Sequence, residues 1–325
     1  MPHLLRHWFV YSLLIVIPGG MAAGRVPWIH QFVGTAVNTQ VYVFAVLFCM
    51  AITLPLAHLK QTATRPLSVL LTLGVNAILL PLLAWGLFLL HPTSPFAAGL
   101  LIVAVVPSTM ASAAVWTRRS GGNDALCLIV TLITNGGCFL IIPFWLWLTL
   151  GTSVPINAPE LMKKLLLIAL LPMGLGQFLR SFRPVRALAD RNRMRIGVLA
   201  QAGILIIVTV GSIRTGPVLA ESSAGLSFVA LLMVLGQCLL LHAIGLACGW
   251  WGIRWMRGRP EDAIGAMFSG SQKTLPIAVD LATSPILLAG GLSPLAILPP
   301  LMFHAMQLIV DSFLIEQVRI RQVHD

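Results

Sequence analysis

Long apolar runs of about twenty residues, separated by short polar loops, set the pattern of this 325-residue chain. A helix of about 20 mostly apolar residues spans the ~30 Å hydrocarbon core of a bilayer. The clearest candidates are 41–57, 67–90, 96–117, 125–151, 196–213, 225–253 and 294–315. Three weaker runs join them. Run 8–23 is short and contains Pro18. Run 161–179 carries Lys163 and Lys164 near one end, where they are expected to snorkel to the interface. Run 263–282 is interrupted by Gly270-Ser271-Gln272-Lys273-Thr274. The pattern predicts an all-α polytopic membrane protein with ten transmembrane helices. A signal peptide is the competing reading of the first run. Pro18-Gly19-Gly20 and the lack of a small-x-small cleavage site count against it.

Composition agrees. The chain is 58% hydrophobic and only 10% charged, with a mean hydropathy of +0.91. Ordinary soluble chains carry roughly 25% charged residues, so a cytosolic enzyme or a secreted disulfide scaffold is excluded. The net charge of +11 does not indicate a nucleic-acid partner, because Lys and Arg collect in the cytoplasmic loops of membrane proteins. The five cysteines all lie inside apolar runs without CxxC or Cys/His spacing, which predicts free, buried thiols and no metal site.

Those basic residues also fix an orientation. With ten spans and a cytoplasmic N-terminus, the inside holds Arg6, Lys60, Arg65, Arg118, Arg119, Arg180, Arg183, Arg186, Arg191, Arg193, Arg195, Arg254, Arg257, Arg259, Arg319 and Arg321. The outside holds only Arg25, Lys163, Lys164 and Arg214. Sixteen against four satisfies the positive-inside rule, and one missed span would invert everything after it. Both termini are therefore predicted in the cytoplasm, with the protein in the cell (inner) membrane. Reporter fusions after Gly121, Leu188 and Asp325 are expected to give cytoplasmic signals, and fusions after Thr93 and Pro155 external ones. An external signal at Leu188 overturns the ten-span topology.

Five spans precede the polar stretch 152–160 and five follow it. An odd number per half gives the halves opposite topology, as in inverted-repeat transporters. The expectation is a single membrane transporter domain over 1–325, with a first inverted repeat at 1–151 and a second at 160–325. The fourth span of each half is broken in sequence: Val106-Pro107-Ser108-Thr109 in span 4, and Gly270 to Thr274, followed by Pro276, in span 9. Proline removes a backbone donor, and glycine eases an unwound stretch. Irregular backbone at membrane depth survives only where it is buried or lines a cavity. Matched breaks in two halves point to a transport site.

Polar residues concentrate near these breaks. Cys127, Thr131, Thr134 and Asn135 share one face of span 5. A membrane threonine commonly bonds its own preceding carbonyl, whereas Asn135 is expected to reach a partner across the bundle. Lys273 is the strongest single signal, since a lysine at membrane depth costs at least ~2.5–3.5 kcal/mol. Its alternative is a purely structural pairing with Asp280, seven residues on and on the same helical face. Asp311, ahead of Arg319 and Arg321, reads as a solvated or locally paired carboxylate. His242 and His304 read as buried hydrogen-bonding residues. There is no HExxH, Walker loop or nucleophile elbow, and Ser271 and Lys273 are badly spaced for a helical Ser/Lys pair.

The run from Gly99 through Pro107, Ser112, Gly121-Gly122-Asn123, Thr131 and Pro143, together with Lys273-Thr274, resembles the bile acid:sodium symporter family. It is closest to the divergent SBF-like branch of that superfamily. The resemblance implies ten helices with crossing, broken helices 4 and 9. It also implies sodium ligands that transfer in part: Ser112, Thr131 and Gln272 match, and Asn76 stands where relatives carry glutamine. Ala113 replaces an asparagine, Cys127 a serine and Phe268 the shared glutamate, which puts sodium coupling in doubt.

The resulting expectation is a secondary transporter of a small anionic organic solute, with no cofactor and with a proton or weakly bound sodium as the coupling ion. Its substrate and ion site is expected at Asn76, Pro107, Ser108, Ser112, Thr131, Asn135, Ser271, Gln272, Lys273 and Thr274. Lys273 and the N-termini of the half-helices favour an anion there. A non-transporting regulator of calcium homeostasis is the alternative. The partners implied are the bilayer and the solute, and the sequence does not set the oligomeric state.

Overall fold

In a bilayer every backbone polar group must be satisfied within the protein, so apolar runs of this length fold as helices. The computed structural model describes residues 8–55, 66–110, 112–151, 154–221 and 228–324, and among these the regular structure is entirely helical. Arg6, Lys60 and Arg65 of the charge count lie outside the described residues.

The chain begins with α1 (Trp8–Gly24), α2 (Pro27–Ala36), α3 (Thr39–Ile52) and α4 (Pro66–Leu90). It continues as α5 (Ala97–Val105), α6 (Ser112–Arg119), α7 (Asp124–Gly136), α8 (Cys138–Leu150) and α9 (Ala158–Ser181). Then follow α10 (Arg183–Arg191), α11 (Arg193–Glu221), α12 (Phe228–Trp255), α13 (Pro260–Ser271) and α14 (Leu275–Ala282). The short α15 (Pro285–Ala289) leads to α16 (Leu298–His324).

Among the described residues five helices are long and apolar enough to cross a membrane unaided, and counting each of two bent pairs as one span raises this to seven. The protein is therefore polytopic. The predicted spans 4 and 9 fall short of that length because each is two half-helices, α5/α6 and α13/α14. Two features depart from the sequence pattern. The single predicted helix 125–151 bends by 64° between α7 and α8, at Gly136-Gly137, and α1 turns through 108° into α2. Pro18, in contrast, leaves α1 continuous.

Large apolar side chains such as Ile15, Phe144, Leu199, Phe228 and Trp255 point outward, where lipid covers them. Inside, α11 packs on α1 and α3, with α9 against α3; α12 packs on α13 and α16. The α1–α11 crossing is unusually close. A Cβ on Gly24 would lie 2.1 Å from the Ile213 carbonyl oxygen, and one on Gly216 would lie 2.4 Å from that of Met21. Lipid tails are as apolar as leucine, so helices in a bilayer associate through such close backbone packing. Gly216→Val is expected to lower the thermal stability of the detergent-solubilised protein by ~1–3 kcal/mol, the usual cost of overpacking. An unchanged melting temperature would show that this crossing is not tightly packed.

Candidate functional site

Proline and the surrounding polar side chains explain both breaks. Pro107 disfavours a helical conformation in the residue before it, and Val106 is accordingly extended, with ψ of 155°. In the second break Gln272 and Thr274 are extended, with ψ of 144° and 132°. Unwinding strips backbone groups of their helical partners, and every such group must then find another donor or acceptor.

The breaks supply partners to each other. Thr274 N donates to Pro107 O at 2.9 Å, and Ser108 Oγ donates to Ser269 O at 2.9 Å. Asn135 Nδ2, reaching across from α7, donates to Ser108 O at 2.9 Å, while Thr131 Oγ1 donates to Thr109 O at 3.1 Å. Thr134 bonds Val130 O on its own helix and also accepts Ser108 N at 3.3 Å. Gln307 of α16 clamps the second break much as a neighbouring strand would. Its Oε1 accepts Lys273 N and its Nε2 donates to Lys273 O, both at 3.0 Å.

Lys273 is 1% exposed, and its ammonium donates to three neutral oxygens: Asn76 O at 2.6 Å, Val106 O at 3.0 Å and Asn76 Oδ1 at 3.2 Å. One of these acceptors exists because of a proline. Within α4, residues Val75–Leu79 form a π turn, so Leu80 N bonds Val75 O and passes over Asn76. The next residue, Pro81, has no N–H to offer, which leaves the Asn76 carbonyl free for Lys273. The neighbouring Ala77 carbonyl takes the Trp145 indole N–H at 2.9 Å instead. Asn76 Nδ2, in turn, shares its hydrogens among Ser269 O, Gly270 O and Gln272 O at 3.1–3.2 Å, capping α13.

The structure rules out the pairing of Lys273 with Asp280. Asp280 lies 2.8 Å from Lys164 of α9, and both side chains are buried. The break between Lys273 and Asp280 destroys the helical register that would have placed them on one face. Lys164 is therefore turned into the protein, and it also donates to Ser284 Oγ at 3.0 Å. Asp311 is likewise not solvated. It is fully buried, 2.9 Å from His242 Nε2, and accepts Gln272 Nε2 at 2.5 Å.

Of the residues expected at the site, Asn76, Pro107, Ser108, Ser112, Thr131, Asn135, Gln272, Lys273 and Thr274 surround the crossed breaks. Ser271 does not join them; its hydroxyl bonds Met267 O on its own helix. Thr109, placed in the first break but not among the expected site residues, belongs with them. Its Oγ1 donates to Gln272 Oε1 at 2.6 Å, accepts Ser112 Oγ at 2.8 Å and accepts Ala113 N at 3.1 Å, so it satisfies a backbone N–H in the first turn of α6. Ser112 Oγ lies 2.7 Å from Gln272 Oε1 as well. Gln307 was also missed, although its spacing from His304 and Asp311 puts all three on one helical face.

A cavity of about 300 Å³ opens beside the crossing. Its polar wall includes Thr109, Ser112, Thr274 and His304, and Arg119 lies on its lining. Phe9, Trp116, Ile204 and Leu308 contribute the apolar wall. Lys273 does not line it, because its amine turns to the other side of the break. Arg119 stacks over Trp116, 5.6 Å from the ring centre.

Discontinuous helices that cross with their broken ends beside a cavity define a class, the membrane transporters built on broken helices. Within that class the chain belongs to the SBF-like CPA transporter family, whose sequence profile matches residues 7–320. The family, and the three relatives given below, are described as transporters, not enzymes. The chain is 28% identical to the probable sodium/metabolite cotransporter BASS4, chloroplastic, of Arabidopsis thaliana, over 67% of its own length and 51% of that protein. It thus spans about half of that plant relative. It is 20% identical to the sodium/bile acid cotransporter 7-B of Xenopus laevis, covering 97% of this chain and 92% of that one. It is 22% identical to the uncharacterized sodium-dependent transporter YocS of Bacillus subtilis, over 94% and 88%.

Proposed function

We propose that the protein is a secondary active transporter that carries a small anionic organic solute by alternating access. In this reading it is one domain of ten spans, built as two inverted repeats at 1–151 and 160–325, in the cell membrane with both termini cytoplasmic. The cavity carries the proposal. Its volume sits at the lower end of the ~300–1,000 Å³ typical of small-molecule sites, and it joins an apolar wall to a few convergent polar groups. The N-terminal ends of α6 and α14 begin at the breaks beside it, and helix N-termini favour negative charge. Arg119 adds a cation on the lining. A carboxylate carried on a compact apolar body matches that wall chemistry.

In this reading the cavity opens towards the cytoplasm. The cavity is lined by α11 around Gln201, next to the arginine-rich ends assigned to the cytoplasm. Arg214 lies thirteen residues further along α11, ~20 Å of helical rise away. There Arg214 bonds Val37 O and Thr39 Oγ1, and Lys164 pairs with Asp280; in this reading these contacts separate the cavity from a second pocket that they line on the opposite face.

Sodium coupling is expected to be weak. A hard cation favours carboxylate and carbonyl oxygens. Ser112, Thr131 and Gln272 already spend their polar groups on one another and on Thr109, and the buried Phe268 brings no carboxylate. The test is uptake of a panel of radiolabelled organic anions into proteoliposomes. An imposed sodium gradient, a choline control and an imposed pH gradient are compared. Saturable uptake driven by the pH gradient is the expected result. Strong stimulation by sodium alone defeats the coupling assignment, and no saturable uptake of any anion defeats the transport reading.

A further inference from the structure

We propose that Asp311 and His242 form a proton-binding site wired to the cavity through Gln272, so that a proton and the anion bind together. The inference rests on the anion-transport reading above for the meaning of the coupling, though not for the existence of the proton site.

The geometry is specific about where the proton goes. Both side chains are fully buried, on α16 and α12, and His242 Nε2 lies 2.9 Å from Asp311 Oδ1. A carboxylate oxygen accepts only, so Nε2 carries the hydrogen in that contact and Nδ1 is left as a bare lone pair. Nδ1 is buried and has no partner. An imidazole nitrogen with a free lone pair is basic, so Nδ1 is the atom of the couple that can take up a proton. A carboxylate beside a neutral imidazole carries a net negative charge at membrane depth, and uptake of that proton makes the couple neutral.

Most charges on the surrounding elements are engaged elsewhere, and Glu261 at the start of α13 is exposed. On α16, His304 bonds Gln307 at 2.8 Å. In the break beside Asp311, Lys273 turns its amine to Asn76 and Val106. From α14, Asp280 pairs with Lys164, and from α13, Asp262 accepts Asn123 Nδ2 at 2.7 Å. At the end of α6, Arg118 pairs with Asp124 and Arg119 lies over Trp116. On α12, Arg254 lies over Trp250, while α4 and α5 carry no charged side chain.

The connection to the cavity is one side chain long. Gln272 donates to Asp311 Oδ2, and its Oε1 accepts the hydroxyls of Thr109 and Ser112, two residues on the cavity wall. Protonation of the couple weakens Asp311 as an acceptor and loosens the hold on Gln272. The Thr109 and Ser112 hydroxyls are then free to turn to an anion. Anion binding favours the same rearrangement, so each ligand raises the affinity for the other, as linkage requires. The cargo is a proton and an anion moving the same way, with no net charge.

The proton site is testable without knowing the solute. Proteoliposomes adsorbed on a solid-supported membrane are stepped in pH between about 5 and about 8, the range histidine normally spans, with no organic anion present. The wild-type protein is expected to give a transient charge displacement. Asp311→Asn and His242→Gln are expected to abolish it, Asp311→Glu to retain it, and the exposed-loop control His91→Gln to leave it unchanged. Folding of each variant is checked by size-exclusion chromatography. No displacement in the wild type, or an undiminished one in folded Asp311→Asn, overturns the proposal. If neither loss variant folds, the infrared pH-difference spectra of the wild type and of Asp311→Glu decide. A carboxyl band that shifts with this substitution supports the site, and identical carboxyl bands in the two spectra overturn it. Displacement without uptake of any anion keeps the proton site and defeats the anion reading. Uptake without displacement does the reverse.

Discussion

Lys273→Met is expected to loosen the crossing of the two breaks and to lower the melting temperature of the solubilised protein. The substitution keeps the length of the stem and removes all three hydrogen bonds of the ammonium. It orphans the buried carbonyls of Asn76 and Val106, at ~1–3 kcal/mol each. Part of that cost is offset, because an ammonium no longer has to be held out of water. The carbonyls win in this balance. One of them has no other donor within its own helix, since the π turn and Pro81 have already taken both candidates away. Transport is expected to fall with stability, as Lys273 holds α4, α5 and the second break in one arrangement. Thermal unfolding in detergent, followed by uptake in liposomes, checks both. A melting temperature equal to that of the wild type would show that the amine is not held by these oxygens.

A second large effect is expected at the face opposite the cavity. Lys164 of α9 and Asp280 of α14 lie 2.8 Å apart, with side-chain exposures of only 9% and 4%. Removing one member of a buried pair leaves an uncompensated charge, at ~3–5 kcal/mol, whereas removing both together is often close to neutral. Lys164→Met and Asp280→Asn are each expected to be strongly destabilising, and the double variant to recover much of the loss. The cost falls on the conformation in which this face is closed. Each single variant is therefore also expected to expose a cysteine placed at Thr283, beside the pair, to faster labelling by a membrane-impermeant thiol reagent. A double-mutant cycle on melting temperature gives the coupling. Single variants that melt and label like the wild type would remove the pair from any role in closure.

The apolar runs and the loop charges were enough to read an all-helical polytopic protein, and the two prolines with their polar neighbours were enough to locate both breaks. These features are local. A run of twenty apolar residues has one structural solution in lipid, and a proline removes its own N–H wherever the chain goes. The same locality explains why nine of the ten expected site residues gather at the crossing, and why Ser271, which satisfies its hydroxyl one turn back, does not.

What escaped the pattern was pairing between elements. Asp280 shares a helical face with Lys273 only while the helix is unbroken. Once unwound, Lys273 is turned towards α4 and Asp280 towards α9. Asp311 has arginines after it in sequence, but its partners in space are His242 and Gln272, 69 and 39 residues away. Thr109 and Gln307 are ordinary polar residues until the breaks present them with freed backbone and a glutamine to bind. The sequence by itself determined the medium, the helical character and the positions of the breaks, because each follows from the hydrogen-bonding demands of a few neighbouring residues in lipid. Only the tertiary structure decided which charges meet, which polar atoms face the cavity and which carbonyl receives the buried lysine. Those outcomes depend on side chains brought together across the bundle from distant parts of the chain.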